Sequence, residues 1–382
     1  MGNFDVTKAL INVINAGING KELLACEDWG AVFKMAKKHS LGSLFYLAIK
    51  DDKSMPEEII ADAKKHFSAQ TAQQIMQEYS ESKLFEEFSV RGIKYMPLKG
   101  HFIKKLYPYP EMRTSCDIDV FYDKGKRDVV LEILSNLGFT LVSTSEYDDH
   151  WSKDVVTIET HFNLASNEDN LQKYYSDIWQ RLKTDDGKEF YFTDEDFYIY
   201  LMVHAAKHFL SDGFGIRTVL DFYLFKKNKN LDQNYLEKEF EKLGLNKFVK
   251  SFVHLSEVWF GDETATEETD ILCDYVVGVG VYGTENRGVI MRNISKSGSA
   301  SATKRAFIFR RIFPPFKEMS ERYKVLKKCV ILLPFMWIIR WFEAIFFRRK
   351  NIKKIYNESK MIKSEDVDVT TKILDITGLK KD

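Results

Sequence analysis

The stretch that decides the fold runs from Ile93 to Asp123, IKYMPLKGHFIKKLYPYPEMRTSCDIDVFYD. Ile93 to Leu98 is apolar enough for a buried strand. Lys99-Gly100 follows at once, where glycine lets the backbone turn sharply and come close to a ligand. A helix is expected over 100–107, stopped by Pro108 or Pro110, with its first N–H groups offered to any anion above the turn. After EMRTSC, a second strand over 117–122 places Asp117 and Asp119 on one face and Ile118 and Val120 on the other. Adjacent carboxylates repel each other. A hard divalent cation, Mg²⁺ or Mn²⁺, relieves that repulsion and still accepts phosphate oxygens. A lone Asp-x-Asp is more often a solvated edge strand, but here a glycine turn precedes it and a further acid follows.

Working outward, strands and helices alternate as far as residue 192. Helices are expected over 125–137 and 168–182, and strands over 139–143, 154–164 and 189–192, the mixture of an α+β layer. In VVTIETHF, Thr157, Glu159 and His161 share one face of a strand while Val156, Ile158 and Thr160 take the other. An ordinary amphipathic edge strand would show the same alternation. The Asp-x-Asp upstream makes Glu159 a candidate third carboxylate and His161 its neighbour.

The run LKG…LYPYPEMR…DIDVF resembles the nucleotidyltransferase superfamily of the DNA polymerase beta-like fold, in particular its bacterial branch of uncharacterised members. Lys99-Gly100 stands where many members carry Gly-Gly or Gly-Ser, Asp117 and Asp119 match the acidic pair, and Glu159 matches the third acid. The resemblance implies an α+β fold: a nucleotidyltransferase-type mixed sheet with helices, flanked by N-terminal and C-terminal helical regions. It also implies catalytic and metal-binding roles for Asp117, Asp119 and Glu159, with Mg²⁺ or Mn²⁺ as cofactor and ATP or another nucleoside triphosphate as substrate. Lys99, Gly100 and Arg113 would meet the phosphates. In this branch an H…KH…R…D pattern follows the catalytic module, which His204, Lys207, His208, Arg217 and Asp221 match. His161, Lys207, His208 and Arg217 are thus further substrate-binding candidates. His204 and His208, four apart on a helix, are also a weak zinc motif, and Arg217 with Asp221 reads equally well as a helix-stabilising pair.

The flanks look helical. Residues 5–17, 28–49 and 55–91 carry apolar residues at helical spacing, with His39 and His66 expected on solvated faces, and helices continue over 195–210, 216–227 and 232–280. The boundaries read as an N-terminal helical region over 1–91, a catalytic core over 92–193, a helical domain completing the cleft over 194–294, and a C-terminal part over 295–382. That last part opens on the small polar linker SKSGSASAT, contains the apolar stretch 330–347 and ends in a charged, loosely ordered tail. Pro334, Arg340 and Glu343 interrupt the apolar stretch, so it reads as a buried or surface-lying helix able to touch a membrane weakly, and not as a span.

Lys and Arg number 56, as do Asp and Glu, so no overall field attracts nucleic acid. The four cysteines are far apart, and the N-terminus lacks both a secretory signal and a myristoylation motif, which gives a cytoplasmic expectation with at most peripheral membrane contact. The reaction expected is transfer of a nucleoside monophosphate from the triphosphate to an acceptor, with release of pyrophosphate. The acceptor, whether a small molecule, a glycan precursor or a protein, is not legible. Alternative readings are a catalytically silent nucleotide-binding or assembly protein of the same fold, and a toxin-type enzyme acting on tRNA or protein.

Overall fold

The computed structural model describes residues 3–164, 169–211, 213–279, 309, 312–314, 316–327, 329–347 and 364–380. Four helices come first, α1 (Asn3–Asn19), α2 (Trp29–Lys38), α3 (Gly42–Ile49) and α4 (Glu57–Val90). The Asp28 side chain accepts the N–H of Ala31 at 2.8 Å to start α2, and α4 opens after Pro56 with Glu57 and Glu58 in its first turn. His39 corrects an expectation. It is not on a solvated face but fully buried, because the chain reverses at Ser40, at φ 54°, and the ring turns inward. There its Nδ1 accepts the N–H of Ile216 at 3.2 Å. His66 is half-buried, edge-on to Phe33.

The deciding stretch supplies β1 (Tyr95–Pro97), the single turn α5 (Gly100–Ile103) and β2 (Ile118–Tyr122). Then come α6 (Arg127–Asn136), β3 (Thr140–Thr144), β4 (Asp148–Lys153) and β5 (Val156–His161). The five strands form one mixed sheet in the order β1-β2-β5-β4-β3, with β2 and β5 parallel and the other neighbours antiparallel. The sequence gives no warning of β4. Its residues, DDHWSK, include no β-branched side chain and read as a turn. The neighbours on both sides impose the extended form, Trp151 is buried in the sheet's apolar face, and buried Asp149 is gripped by two nitrogens of Arg127 at 2.8 and 2.9 Å.

The expected helix 168–182 is two short pieces, α7 (Asp169–Tyr174) and α8 (Ile178–Arg181), since Tyr175 and Ile178 both turn into the core. A small hairpin of β6 (Lys183–Thr184) and β7 (Phe190–Tyr191) leads to the helical cover. This consists of α9 (Asp194–Ser211), α10 (Ile216–Asn228), α11 (Gln233–Leu243), α12 (Asn246–Phe260) and α13 (Glu267–Val279). Further along lie α14 (Phe316–Arg322), α15 (Leu333–Phe347) and α16 (Ser364–Thr377). The tail expected to be loosely ordered therefore contains a docked helix: Ile373 and Leu374 of α16 are buried in the main core. The expected linker over 295–303 lies outside the described residues.

Two apolar cores flank the sheet. The smaller joins Ile118, Val120 and Ile158 to Phe88 of α4 and Leu134 of α6. The larger runs from Leu10 of α1 and Phe45 of α3 to Phe209, Phe222 and Phe252 of the cover, so the N-terminal helices and the cover share one interior. A charged clamp crosses between loop and cover. Arg113 donates from Nε and Nη2 to the two carboxylate oxygens of Asp221, both at 2.9 Å, and the Tyr107 hydroxyl donates to Asp221 at 2.7 Å. Both partners of the ion pair are almost sealed from water.

Two stability tests follow from these contacts. Asp221→Asn leaves the Arg113 guanidinium buried without its counter-charge and is expected to cost about 3–5 kcal/mol in chemical denaturation. The double substitution Arg113→Met with Asp221→Leu should cost far less than the two single changes added together. Additive losses, with the double variant costing as much as the two single changes together, would refute the clamp. His39 gives a pH test. Burial first, and then the ammonium of Lys38, push its pKa down from 6.5 to about 4. Between those values the unfolded chain binds a proton that the folded chain refuses, so stability should fall as pH drops through that window, by about 3 kcal/mol in all. His39→Asn, which keeps an acceptor for the Ile216 N–H, should flatten that part of the pH profile relative to the native chain.

Candidate active site

The site is the polar face of the sheet. Register pairs Asp119 with Glu159 and Phe121 with His161 across β2 and β5, and pairs Asp148 with His161 and His150 with Glu159 across β5 and β4. Three neighbouring strands thus present acids and imidazoles to one side while their alternate residues fill the smaller core. Two clusters form there. In one, ligand atoms of Asp119, Glu159 and His161 all lie within 4.8 Å of one another; in the other, those of Asp148, His150 and Glu159 do so.

Asp119 is the centre of the first cluster. One of its oxygens meets the Lys99 ammonium at 2.9 Å and His161 Nε2 at 3.0 Å. Burial alone would raise its pKa, but Lys99 and His161 overcome that and hold the carboxyl well below the usual range. His161 feels the reverse contest: burial lowers its pKa, yet hydrogen bonds to Asp119 and Glu159 raise it overall. Its Nδ1 lies 3.6 Å from Asp148, and His150 bridges Asp148 and Glu159 at 3.2 Å each. Asp148 and His150 were not legible as site residues because β4 itself was not.

Lys99 reaches Asp119 from a strained backbone. Its φ of 35° and ψ of −97° lie where side-chain-bearing residues rarely sit, and such strain persists only where the surroundings enforce it. The enforcement is visible: Leu98 N–H bonds the Asp119 carbonyl at 2.9 Å on one side, and α5 begins on the other. A Cβ on Gly100 next to it would meet the Ser115 hydroxyl, which would have to rotate away. The helix expected over 100–107 is one α turn followed by a 3-10 turn over Lys104–Leu106, so its dipole adds little.

Asp117 sits just ahead of β2, half-buried, and has no hydrogen bond or ion pair among the described residues. The negative charge of Asp119, then burial, push its carboxyl up to about 6, while Lys99 pulls the other way. Asp117 and Asp119 line a cleft with Gly100, Ser115 and the α4 residues Gln77 and Glu81. Gln77 is buried there with its amide nitrogen unpartnered. Asp117 belongs to neither ligand-atom cluster among the described residues; the expected trio of Asp117, Asp119 and Glu159 is replaced there by Asp119, Glu159 and His161, two carboxylates and an imidazole.

The helical cover closes the other side. Tyr200 of α9 is buried and His204 half-buried; the Tyr200 hydroxyl has its pKa raised by burial first and by the acids around it, and His204 is driven well below 6.5 by loss of water around the ring and then by Lys99. His208 stacks edge-on to His204 at 4.3 Å between ring centres, and Lys207 is at the surface. No third acid or thiol joins His204 and His208 in a ligand cluster among the described residues. Arg217 does not pair with Asp221. Its Nη1 donates to the Thr114 carbonyl at 2.7 Å, its Nε is buried unpartnered, and its charge favours ionised Asp117. Arg113 stands apart from the expected phosphate role, because Asp221 takes its Nε and Nη2, while Nη1 donates to Ser115 at 3.3 Å. Tyr200 was not singled out in the sequence, where it is one aromatic in the apolar run FYIYLMV.

Comparison with the curated proteins gives no match, and neither does comparison with the solved structures. A family model described as an uncharacterised nucleotidyltransferase matches residues 25–261, from the loop between α1 and α2 through the whole sheet to just past the end of α12. That span is more than half of the chain and contains every residue of the acidic face, and the chain belongs to this uncharacterised nucleotidyltransferase family.

Proposed function

We propose that the protein transfers a nucleoside monophosphate from a nucleoside triphosphate to an acceptor with the help of Mg²⁺ or Mn²⁺. The observation that carries this reading is the pairing of Asp119 with Glu159 on adjacent parallel strands, beside an Asp117 carboxyl that makes no ion pair among the described residues. Asp117 and Asp119 would hold the metal, with Glu159 either completing its shell or taking the acceptor's proton; the metal would neutralise phosphate charge and polarise the α-phosphorus. The remaining work falls to side chains. Lys99, already the cation at the turn, would take a phosphate oxygen of the triphosphate, and the bare Gly100 backbone leaves the chain open there to the β- and γ-phosphates. Arg217, with its unpartnered Nε, would add positive charge to the departing pyrophosphate. Glu159, with His161 beside it at 3.5 Å, would accept the proton of the acceptor hydroxyl as its oxygen bonds to the α-phosphorus and the bond to the bridging oxygen breaks.

The direct Lys99 to Asp119 ion pair favours a second reading, in which the fold senses a nucleotide without transferring it. Single-turnover transfer separates the two. Incubation with each labelled triphosphate, Mg²⁺ and cell extract should label an acceptor, and retention of intact triphosphate in every case would support sensing. Calorimetry with and without Mg²⁺ tests the metal: affinity for the triphosphate should rise with metal in the native chain, and Asp117→Asn with Asp119→Asn should erase that dependence. Equal affinity with and without metal in the native chain would refute the metal assignment. Glu159→Gln is expected to lower transfer by about 10²–10⁴-fold, with little change in triphosphate binding if its role is proton removal.

A further inference from the structure

The chain is neutral as a whole, but its charge is segregated. Residues 304–354 contain fifteen Lys and Arg against three Asp and Glu, a net of +12, so the rest of the chain carries an equal excess of acids. At the centre of this basic stretch lies α15, whose 15 residues are almost entirely apolar. Phe335, Ile338, Ile339 and Phe342 recur at i, i+3, i+4 and i+7, and with Ile331 one turn earlier they form a single stripe. That stripe is open to solvent: Ile331 is 82% exposed, Phe335 60% and Phe342 59%. The neighbouring face of the helix is engaged internally, since Trp337 Nε1 donates to the Pro314 carbonyl at 2.9 Å and Trp341 Nε1 to the Ile312 carbonyl at 2.7 Å. The two tryptophans thus fix the rotation of α15, and the stripe faces away from the segment they hold.

We propose that α15 and the basic sequence on both sides of it seat the protein on an anionic lipid surface. The helix is about 22 Å long at 1.5 Å per residue, too short for the ~30 Å hydrocarbon layer. No helix among the described residues is long and apolar enough to cross a membrane. A short helix with one apolar face and cationic flanks lies in the interface, its stripe among the acyl chains and its Lys and Arg at the headgroups. Lys327 and Lys328 precede the helix, and Arg348, Arg349 and Lys350 follow it directly, so cations bracket the stripe at both ends. The same charge argues against pairing of two copies through this face, because it would bring two segments of net +12 together. The acidic remainder of the chain would be repelled by the lipid, which orients the body away from the surface.

Flotation of the full chain with vesicles tests this. Vesicles of equal parts phosphatidylglycerol and phosphatidylcholine should carry at least tenfold more protein than phosphatidylcholine alone, and about 0.5 M salt should remove most of the difference. Phe335→Glu with Ile338→Glu should abolish flotation on both vesicles while leaving the main thermal transition in place. Replacing Lys327, Lys328, Arg348 and Arg349 by Gln keeps the stripe intact and should remove only the preference for anionic lipid. Failure of the native chain to float with anionic vesicles overturns the proposal, as does equal flotation of the native chain and the Phe335→Glu, Ile338→Glu variant. A concentration-dependent dimer that this variant dissociates, without vesicle binding, would assign the stripe to self-association instead.

Discussion

An ionised carboxylate almost sealed from water is the constraint from which the catalytic face is built. Asp119 is 7% exposed in the middle of a strand whose five residues are all buried. Left alone there, its charge would be costly by several kcal/mol and its proton would return. Lys99 and His161 prevent this, and each satisfies a demand of its own. The Lys99 ammonium reaches Asp119 from the hard turn after β1, and the backbone at Lys99 is strained to make that turn. His161 can reach it only if β5 runs parallel to β2 in the observed register, since a slip of one residue would send Glu159 and His161 to the apolar face. The sheet order, the turn and the register are thus three consequences of one buried charge.

The same physics recurs at the clamp between the loop and the cover, with the opposite purpose. Arg113 and Asp221 are buried as deeply, but they satisfy each other through paired nitrogens and oxygens, with Tyr107 adding a third hydrogen bond. Nothing there is left for a ligand. At the acidic face, by contrast, Asp117 has no partner among the described residues, Gln77 and Arg217 each keep a buried nitrogen without one there, and Asp119 has both its cations on a single oxygen. Completeness marks the structural pair, and incompleteness marks the site.

How much was legible follows from the same contrast. The strand-turn-strand core of 93–123 and the face shared by Glu159 and His161 can be read from period and turn chemistry, because each rests on local alternation. β4 could not be read this way. Its extended form comes from its neighbours, and its sequence is turn-like, so Asp148 and His150 were lost with it. Asp-x-His at 148–150 has the same two-residue alternation as Asp-x-Asp, and would have been found had the strand been suspected. Arg113 and Asp221 illustrate the other failure. They lie 108 positions apart, and a pairing at that distance leaves no periodic trace, so the nearer Arg217 at i−4 was the natural but wrong partner for Asp221. His39 failed for a related reason: the lysines around it are solvated, and only the reversal at Ser40 turns its ring the other way.

Helix α9 shows why the cover and the N-terminal helices cannot be separated from the chemistry. Tyr200, His204 and His208 stand four apart and form one stripe; Tyr200 and His204 lie close enough to the acids and Lys99 for those charges to shift them, and His208 continues the row. Phe209 on another face of the same helix packs against Phe248, Phe252 and Tyr275 in the main core. That core also holds Leu10 and Phe45 of the N-terminal helices and Leu374 of α16. A rigid helix with one face in the core and another over the site transmits the position of the first to the second. The first helices and α16 lie far from Asp119 in sequence, yet they fix the helix that closes over it. Holding a buried, incompletely paired set of acids in place requires a stiff surround, and most of this chain is that surround.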